Sequence, residues 1–490
     1  MRRVVITFAA ALIMTGCASP PKRQYPDIHL ELPETWTTPR HLDSLRTETD
    51  TAMSWLTFGD ERLSGLIDEA LRNSYNLKSS AARVDAAAAL ARIAGADFGP
   101  QASVGFDASK RKQNLIGIPI PDAPDVISTR TQTFGVSLDV LWEIDLWGRI
   151  RSGQAAVLAD LEASWAELAA LRLSIAAQTA KSWFALIETR LQVELAKETV
   201  ESYRLSAEQV RRRYKEGVRS SLDLRLALSS LYSAEALLEL RKEQLDRTTR
   251  QLEILLGRYP AGALSTGGEL PAVTGDIPAG LPSDILVRRP DLLAAERRYA
   301  AAEKRVSEAR RAFFPRITLT GSVGTLSQEL KNVVDGDFSV WSGAAGLTQP
   351  IFQGGRLLAN LDQSEAVSDQ ALADYASALL SAFGEVESAL VSEQILARRE
   401  ASLAKAAMQS GAARELAERQ YNAGIVDYIT VLETQRLDLN AQSDLLSVRR
   451  QRLEARVNLH LALGGGFDLS EEWKHFLDTH NDSKTEDPVE

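Results

Sequence analysis

The amino-acid sequence predicts an α+β membrane protein, a tandem-duplicated protomer in which four β-strands cross a bilayer and very long helices continue from them. Three observations predict it. An export-type N-terminus ends at the chain's only cysteine, motifs recur at a constant offset of 207 residues, and strands of period two run into helical stretches almost free of glycine and proline.

The chain has 490 residues, 44% hydrophobic and 25% charged, enough for ordinary cores and too apolar for global disorder. Aromatics make up only 6%, and the helical stretches are rich in Ala, Leu, Glu, Gln and Arg, the composition of long packed helices. A formal net charge of −10 excludes nucleic acid as a partner, because phosphate binding needs a basic face.

Arg2 and Arg3 precede an apolar run from Val4 to Met14, too short to span a bilayer as a mature helix but suited to a secretory signal. The run ends Met14-Thr15-Gly16-Cys17. A lone thiol makes no internal disulfide, and its place after small residues resembles a bacterial lipobox, with Met14 where Leu is usual. In that reading Cys17 carries acyl chains, palmitate among them, and anchors the mature protein. The alternative is an ordinary signal with an incidental cysteine. Ala18 follows where inner-membrane lipoproteins commonly carry Asp, so the lipobox resemblance implies the outer membrane. No later stretch is apolar and long enough for a transmembrane helix, so a mature chain that crosses a membrane does so with strands.

Internal repetition sets the organisation. Gly148-Arg149 recurs as Gly355-Arg356, Tyr214 and Gly217 as Tyr421 and Gly424, and Gly257 as Gly464, each pair 207 positions apart. Pro100, Leu71 and Leu77 correspond to Pro315, Leu286 and Leu292 at an offset of 215. Each half therefore has the order helix, strand, strand, long helix, turn, helix.

The strands show the alternation of a sheet whose faces meet different environments. Phe134, Val136, Leu138, Val140 and Trp142 alternate with Thr133, Gly135, Ser137 and Asp139; Val104 and Phe106 alternate with Ser103, Gly105 and Asp107. Ile317, Leu319 and Val323 alternate with Thr318, Thr320 and Ser322, and Trp341, Ala345 and Leu347 with Ser342, Ala344 and Thr348. Taken singly, such strands also suit the half-buried sheet of a soluble domain. In a bilayer only a closed barrel satisfies its backbone, and barrels begin at about eight strands. Four strands per chain require several copies, and the strand count alone leaves two or three open.

From Gly148 to Tyr214 the sequence has no proline and, after Gly148, only Gly153, which predicts a helix about 95 Å long. Gly355 to Tyr421 is interrupted only by Gly384 and Gly411. Return helices follow, with Leu224, Leu231, Leu238, Leu245 and Leu252, and then Leu432, Leu439, Leu446 and Leu453, recurring every seven residues as in coiled-coil seams. A soluble helical rod is the alternative. Against it, each long helix starts where an alternating strand pair ends.

The run Gly280-Leu281-Pro282-Ser283-Asp284, continued through Arg288-Arg289-Pro290-Asp291-Leu292 and Ala295-Glu296, resembles a signature of the TolC-like outer-membrane factors, in particular the lipoprotein branch (NodT-type) of tripartite RND efflux systems. Trp55, Phe58, Asp60 and Leu63 are similar to that family's opening helix, Asp145 to Arg149 and Pro350 to Arg356 to its strand-to-helix junctions, and Phe313-Phe314-Pro315 to its helix-to-strand junction. The signature itself reads as a joint: Ser283 suits a cap after Pro282, and Pro290 a first helical position with Asp291 near the positive helix end.

The resemblance implies a homotrimer, a twelve-stranded transmembrane barrel continued by a periplasmic α-helical barrel, and an equatorial belt made partly from the chain ends. It implies a periplasmic membrane-fusion adaptor and an inner-membrane RND pump as partners. It also implies a periplasmic aperture at the second helical turn, with an apolar ring at Ile429 and an acidic ring at Glu433. The two are four residues apart and share a helix face. A solvated coiled-coil charge is the alternative for Glu433. Asn422 stands where relatives often carry Arg, which sets this chain apart from their interprotomer ion-pair lock. The first half offers Leu222 and Leu226 on the corresponding face. Adaptor docking is implied at the turns Gly217-Val218-Arg219-Ser220 and Gly424-Ile425-Val426-Asp427.

No catalytic constellation is present. His29, His41, His460, His475 and His480 lack ligand spacing, no nucleophile elbow or phosphate loop occurs, and Gly464-Gly465-Gly466 reads as a helix C-cap. No enzyme activity, cofactor or metal is expected. The function expected is that of an outer-membrane channel of a tripartite efflux pump, a lipid-anchored exit duct for drugs or toxic small molecules with a large periplasmic portion. A type I protein-secretion duct and a structural envelope coiled-coil protein are the alternatives.

These readings divide the chain into a signal peptide (1–16), an extended linker (17–58), a first repeat (59–265), an inter-repeat linker (266–282), a second repeat (283–466) and a C-terminal tail (467–490). The expected strands lie near 101–112, 130–142, 316–327 and 338–350, and the long helices over 148–214, 221–256, 355–421 and 428–463.

Overall fold

The computed structural model describes Trp36 and residues 58–115, 127–273, 282 and 285–465. The signal peptide, Cys17, Trp55, Gly280, Leu281, Ser283, Asp284 and the tail 467–490 lie outside the described residues, as does linker 17–58 apart from Trp36 and Phe58.

In the first half, α1 (Glu61–Asn73) and α2 (Tyr75–Ala96) lead into β1 (Gln101–Leu115) and β2 (Ile127–Ile144), then α3 (Arg149–Lys215) and α4 (Ser221–Leu255). In the second, α5 (Ile285–Arg288) and α6 (Pro290–Arg311) lead into β3 (Arg316–Ser327) and β4 (Ser339–Thr348), then α7 (Arg356–Asn422) and α8 (Tyr428–Ala462). The duplication is metric: α3 and α7 each have 67 residues, and α4 and α8 each have 35. None of the described helices is long and apolar enough to cross a membrane.

The compact units cut across the repeats. One joins Arg83–Ser164 with Ala295–Tyr375; the other joins the described parts of His29–Ala82, Trp165–Ala294 and Ala376–Glu490.

The first unit carries one sheet of four strands, in chain order and antiparallel throughout. The register puts Val104, Leu138, Val323 and Trp341 in one row, so a single face collects Val104, Phe106, Phe134, Val136, Leu138, Val140, Ile317, Leu319, Trp341 and Leu347. The other face collects Ser103, Asp107, Ser137, Asp139, Thr318, Thr320, Ser322 and Ser342. The apolar face is uncovered, with Phe106 58% and Trp341 83% exposed. Edges β1 and β4 have no strand partner beyond β2 and β3 among the described residues.

The first hairpin continues to Leu115 and from Ile127, past the bounds of 112 and 130 that alternation indicates. Lys110, Arg111, Lys112, Gln113 and Asn114 are polar on both faces and give no periodic signal, yet the ladder persists, helped by a 2.8 Å contact between the Ser109 and Thr133 hydroxyls. β4 stops at Thr348 rather than 350, because Pro350 has no N–H to donate.

In the second unit, Asp60 caps α1 by accepting from the N–H groups of Arg62 (3.0 Å) and Leu63 (3.3 Å), and its other carboxylate oxygen accepts from the Trp183 indole at 2.7 Å. Phe58 meets Phe184 edge-on at 5.2 Å within a core that includes Leu63, Ile67, Ile187, Leu252 and Val457. The heptad expectation for α8 holds in part. Leu453 is buried and Leu432 packs against an apolar core, but Val431, Gln435, Asp438 and Val448 are buried while Leu432, Leu439 and Leu446 are only half-buried in a single chain, so polar groups occupy part of the seam.

Candidate functional site

Two turns close the long helices, and they close alike. At the first, the Val218 N–H donates to the Arg213 carbonyl at 2.9 Å and the Gly217 N–H to the Tyr214 carbonyl at 3.0 Å. At the second, the Ile425 N–H donates to Gln420 at 2.9 Å and the Gly424 N–H to Tyr421 at 3.0 Å. This closure needs a left-handed residue, and Gly217 (φ 74°) and Gly424 (φ 77°) supply it.

The helices then restart differently. Ser220 caps α4 by accepting from the Asp223 N–H at 3.2 Å. Asp427 caps α8 by position only; its carboxylate makes no cap hydrogen bond and instead sits 3.5 Å from Arg219 of the first turn. Arg213 ties the turns a second time, donating to the carbonyls of Tyr421 (3.1 Å) and Asn422 (3.2 Å). Asn422 also bonds Gln209 of the same chain through its side chain, where an arginine would carry a charge.

Beneath the turns lies an apolar plug of Tyr203, Val210, Leu231, Tyr421, Tyr428 and Val431. The Tyr421 and Tyr428 rings are 5.4 Å apart, and the guanidinium groups of Arg213 and Arg219 lie 4.8 and 4.9 Å from the Tyr421 ring. Both phenol oxygens are buried without a hydrogen-bond partner among the described residues. Burial pushes the Tyr428 phenol far above its ordinary value, and neighbouring Tyr421 and Tyr203 add to the shift.

Ile429 and Glu433 share the exposed side of α8, Ile429 at 65% exposure. Glu433 is not alone. Arg436 donates to it at 2.7 Å and holds its carboxyl below the usual carboxylate range, principally through that hydrogen bond. On the first half, Leu222 is exposed and Leu226 half-buried. At the turn tips Val218 and Ile425 are exposed, while Val426 packs against the plug.

Sequence reasoning singled out Glu433 but passed over Arg436, although the spacing of three residues on one helix is a readable pairing signal. It also passed over the polar layer buried along α8. There Asp438 accepts from Arg414 (2.7 Å) and Gln442 (2.9 Å), and Gln435 donates to Glu418 at 3.1 Å. Arg414, Gln435, Asp438 and Gln442 line part of a cavity of about 140 Å³.

The signature's described residues lie elsewhere in this unit. Pro282 is buried, and Pro290 opens α6. Arg289, buried, pairs with Asp291 (2.7 Å) and Glu385 (2.8 Å) and donates to the Ala462 carbonyl at the end of α8 (3.2 Å).

Comparison with known proteins places this geometry. The family described as outer membrane efflux protein matches residues 66–258 and 281–465, one stretch per half. The probable efflux pump outer membrane protein SepC of Pseudomonas putida is 30% identical over 481 residues, covering 96% of this chain and 98% of that protein. Outer membrane protein OprJ of Pseudomonas aeruginosa is 33% identical over 419 residues, 85% of this chain and 87% of its own length. The crystal structure of the Campylobacter jejuni CmeC outer membrane channel superposes with a TM-score of 0.84 at 25% identity, covering 94% of this chain and 98% of that one. With both halves matched and nearly the whole length aligned, the chain belongs to the outer membrane efflux protein family.

Proposed function

We propose that the chain works as a homotrimer in the outer membrane, a passive exit duct that hands small toxic compounds from a periplasmic adaptor and an inner-membrane pump to the exterior. The observation that carries this reading is the sheet. Four strands with one apolar and one polar face, ending in two edges unpaired among the described residues, are stable in hydrocarbon only as part of a closed wall. Three copies supply twelve strands, enough for a barrel with a polar interior.

The turns supply the periplasmic end. Ile429 and Glu433, repeated around a threefold axis, form an apolar and an acidic constriction, and the exposed Val218 and Ile425 offer apolar tips to an adaptor hairpin. Acylation at Cys17 adds an anchor. The chain acts as a conduit and carries out no catalytic step. Relatives named for toluene and cation efflux favour small solutes over a secreted polypeptide as cargo.

Planar-bilayer recording tests the reading. The purified chain conducts weakly, and conductance rises when Ile429 and Glu433 are both replaced by Ala. A chain silent in both forms is a rod, contrary to the proposal. A deletion strain with unchanged drug tolerance and lost secretion of one polypeptide moves the cargo assignment to protein.

A further inference from the structure

The outward face of the first hairpin changes character within one row of its ladder. Up to the pair Ala108 and Phe134 it is apolar; the next rows on the same face are Lys110 opposite Gln132 and Lys112 opposite Arg130. At about 3.3 Å per residue, these cations stand roughly 7 to 13 Å along the strand beyond the last apolar row, which at a barrel tilt of about 40° is roughly 5 to 10 Å along the bilayer normal, the level of the headgroups. No Asp or Glu lies on this face anywhere in the four strands, although the whole chain carries a net charge of −10.

Two further features mark the patch as open. Lys110, Lys112 and Arg130 form no ion pair with any described residue. Their part of the hairpin stands clear of its neighbour, since β2 pairs with β3 only from Phe134 onward. The second hairpin's tip is acidic by contrast, with Glu329 paired to Lys331 at 2.7 Å, and Asp335 and Asp337 beside it. The hairpin end is also the end of the strands away from the helices, which connect at Gln101 and Ile144.

We infer that Lys110, Lys112 and Arg130 bind the phosphate groups of a phosphorylated glycolipid of the lipid-A type in the outer leaflet, one cluster per subunit. Their aliphatic stems lie along the last apolar row while the charged heads reach the phosphates. The inference rests on the barrel reading, which sets this face toward lipid and this end toward the exterior.

The test reconstitutes the full chain into vesicles of phosphatidylcholine containing bis-phosphorylated lipid A, re-extracts it, and measures lipid A retained per chain by mass spectrometry. The comparison is a K110Q/K112Q/R130Q variant, with insertion scored by protease protection and conductance. The expected result is equal insertion and retention at least about tenfold lower in the variant, since each surface cation near an anionic bilayer counts for on the order of fivefold. The difference shrinks as salt rises. Equal retention by both proteins overturns the inference. So does full displacement of lipid A by millimolar inorganic phosphate, which marks a phosphate site without lipid preference. Failure of both proteins to insert contradicts the barrel reading, and the inference falls with it.

Discussion

The Arg219 guanidinium and the Asp427 carboxylate meet at 3.5 Å, one from each helical turn, and hold together two hairpins that the chain builds 207 residues apart. Asp427 is 84% exposed, so solvent screens the pair and its worth is about 0–1 kcal/mol. Asp427→Asn should raise the open probability of the reconstituted channel by at most about fivefold at low salt, an effect that disappears near 1 M salt. Single-channel recording at two salt concentrations checks both parts.

At the aperture proposed for the trimer, Glu433 and Arg436 set opposing charges. Glu433→Gln should lower the cation over anion permeability ratio, and Arg436→Gln should raise it, each by roughly twofold for one charge per subunit at a narrow pore. Because Arg436 holds the Glu433 carboxyl below its ordinary value of 4.5, the wild-type preference should persist from pH 7 to pH 5. Reversal potentials in a salt gradient measure this. A preference that vanishes by pH 5.5, or one untouched by Glu433→Gln, contradicts the assignment.

Glu253, near the end of α4, accepts from the backbone N–H groups of Gly262 (2.7 Å), Ala263 (2.8 Å) and Leu264 (3.0 Å). Its burial alone would raise the carboxyl, but these three donors and Arg250 hold it below 4.5. A depressed folded value means the stabilisation is present above about pH 4.5 and fades as pH falls through the lower folded value. Glu253→Ala should cost on the order of 2 kcal/mol at neutral pH by leaving three donors unpaired, and less at pH 3. Denaturant melts of both proteins at the two pH values read the difference.

Arg289→Gln should loosen the joint between α6, Glu385 of α7 and the end of α8. Asp291 and Glu385 are about half exposed and resolvate, so the loss is that of the Ala462 carbonyl contact and of packing, about 1–3 kcal/mol. Limited proteolysis after Arg288 should speed up accordingly, while Lys110→Gln, far along the chain in the other compact unit, should leave it unchanged.

Much of this was legible because hydrophobic period and repetition report what they physically encode. The pairs Gly148 and Gly355, and Gly217 and Gly424, mark where a helix must start or stop, and the structure starts α3 and α7 one residue after the first pair. Strand limits were legible only where the two faces meet different surroundings, so Val104 to Ala108 stood out while Arg111 to Leu115 did not. The break at Ser74 between α1 and α2 was missed, since a serine that caps Leu77 at 3.3 Å looks in sequence like any helix-surface residue. Leucine heptads pointed to Leu432 and Leu439, but the tighter packing goes to Val431, Gln435 and Asp438, where Asp438 accepts from Arg414 and Gln442 and the Gln435 amide donates to Glu418. Partners contributed by distant segments, such as Arg219 for Asp427, carry no local signature.

The most direct test of the central claim is the mass of the detergent-solubilised particle. A sheet whose β1 and β4 margins are free among the described residues requires neighbours, so native mass spectrometry should give three chains per particle, with no stable single-chain species in mild detergent. A folded particle containing one chain, with its strands intact by circular dichroism, would contradict the account.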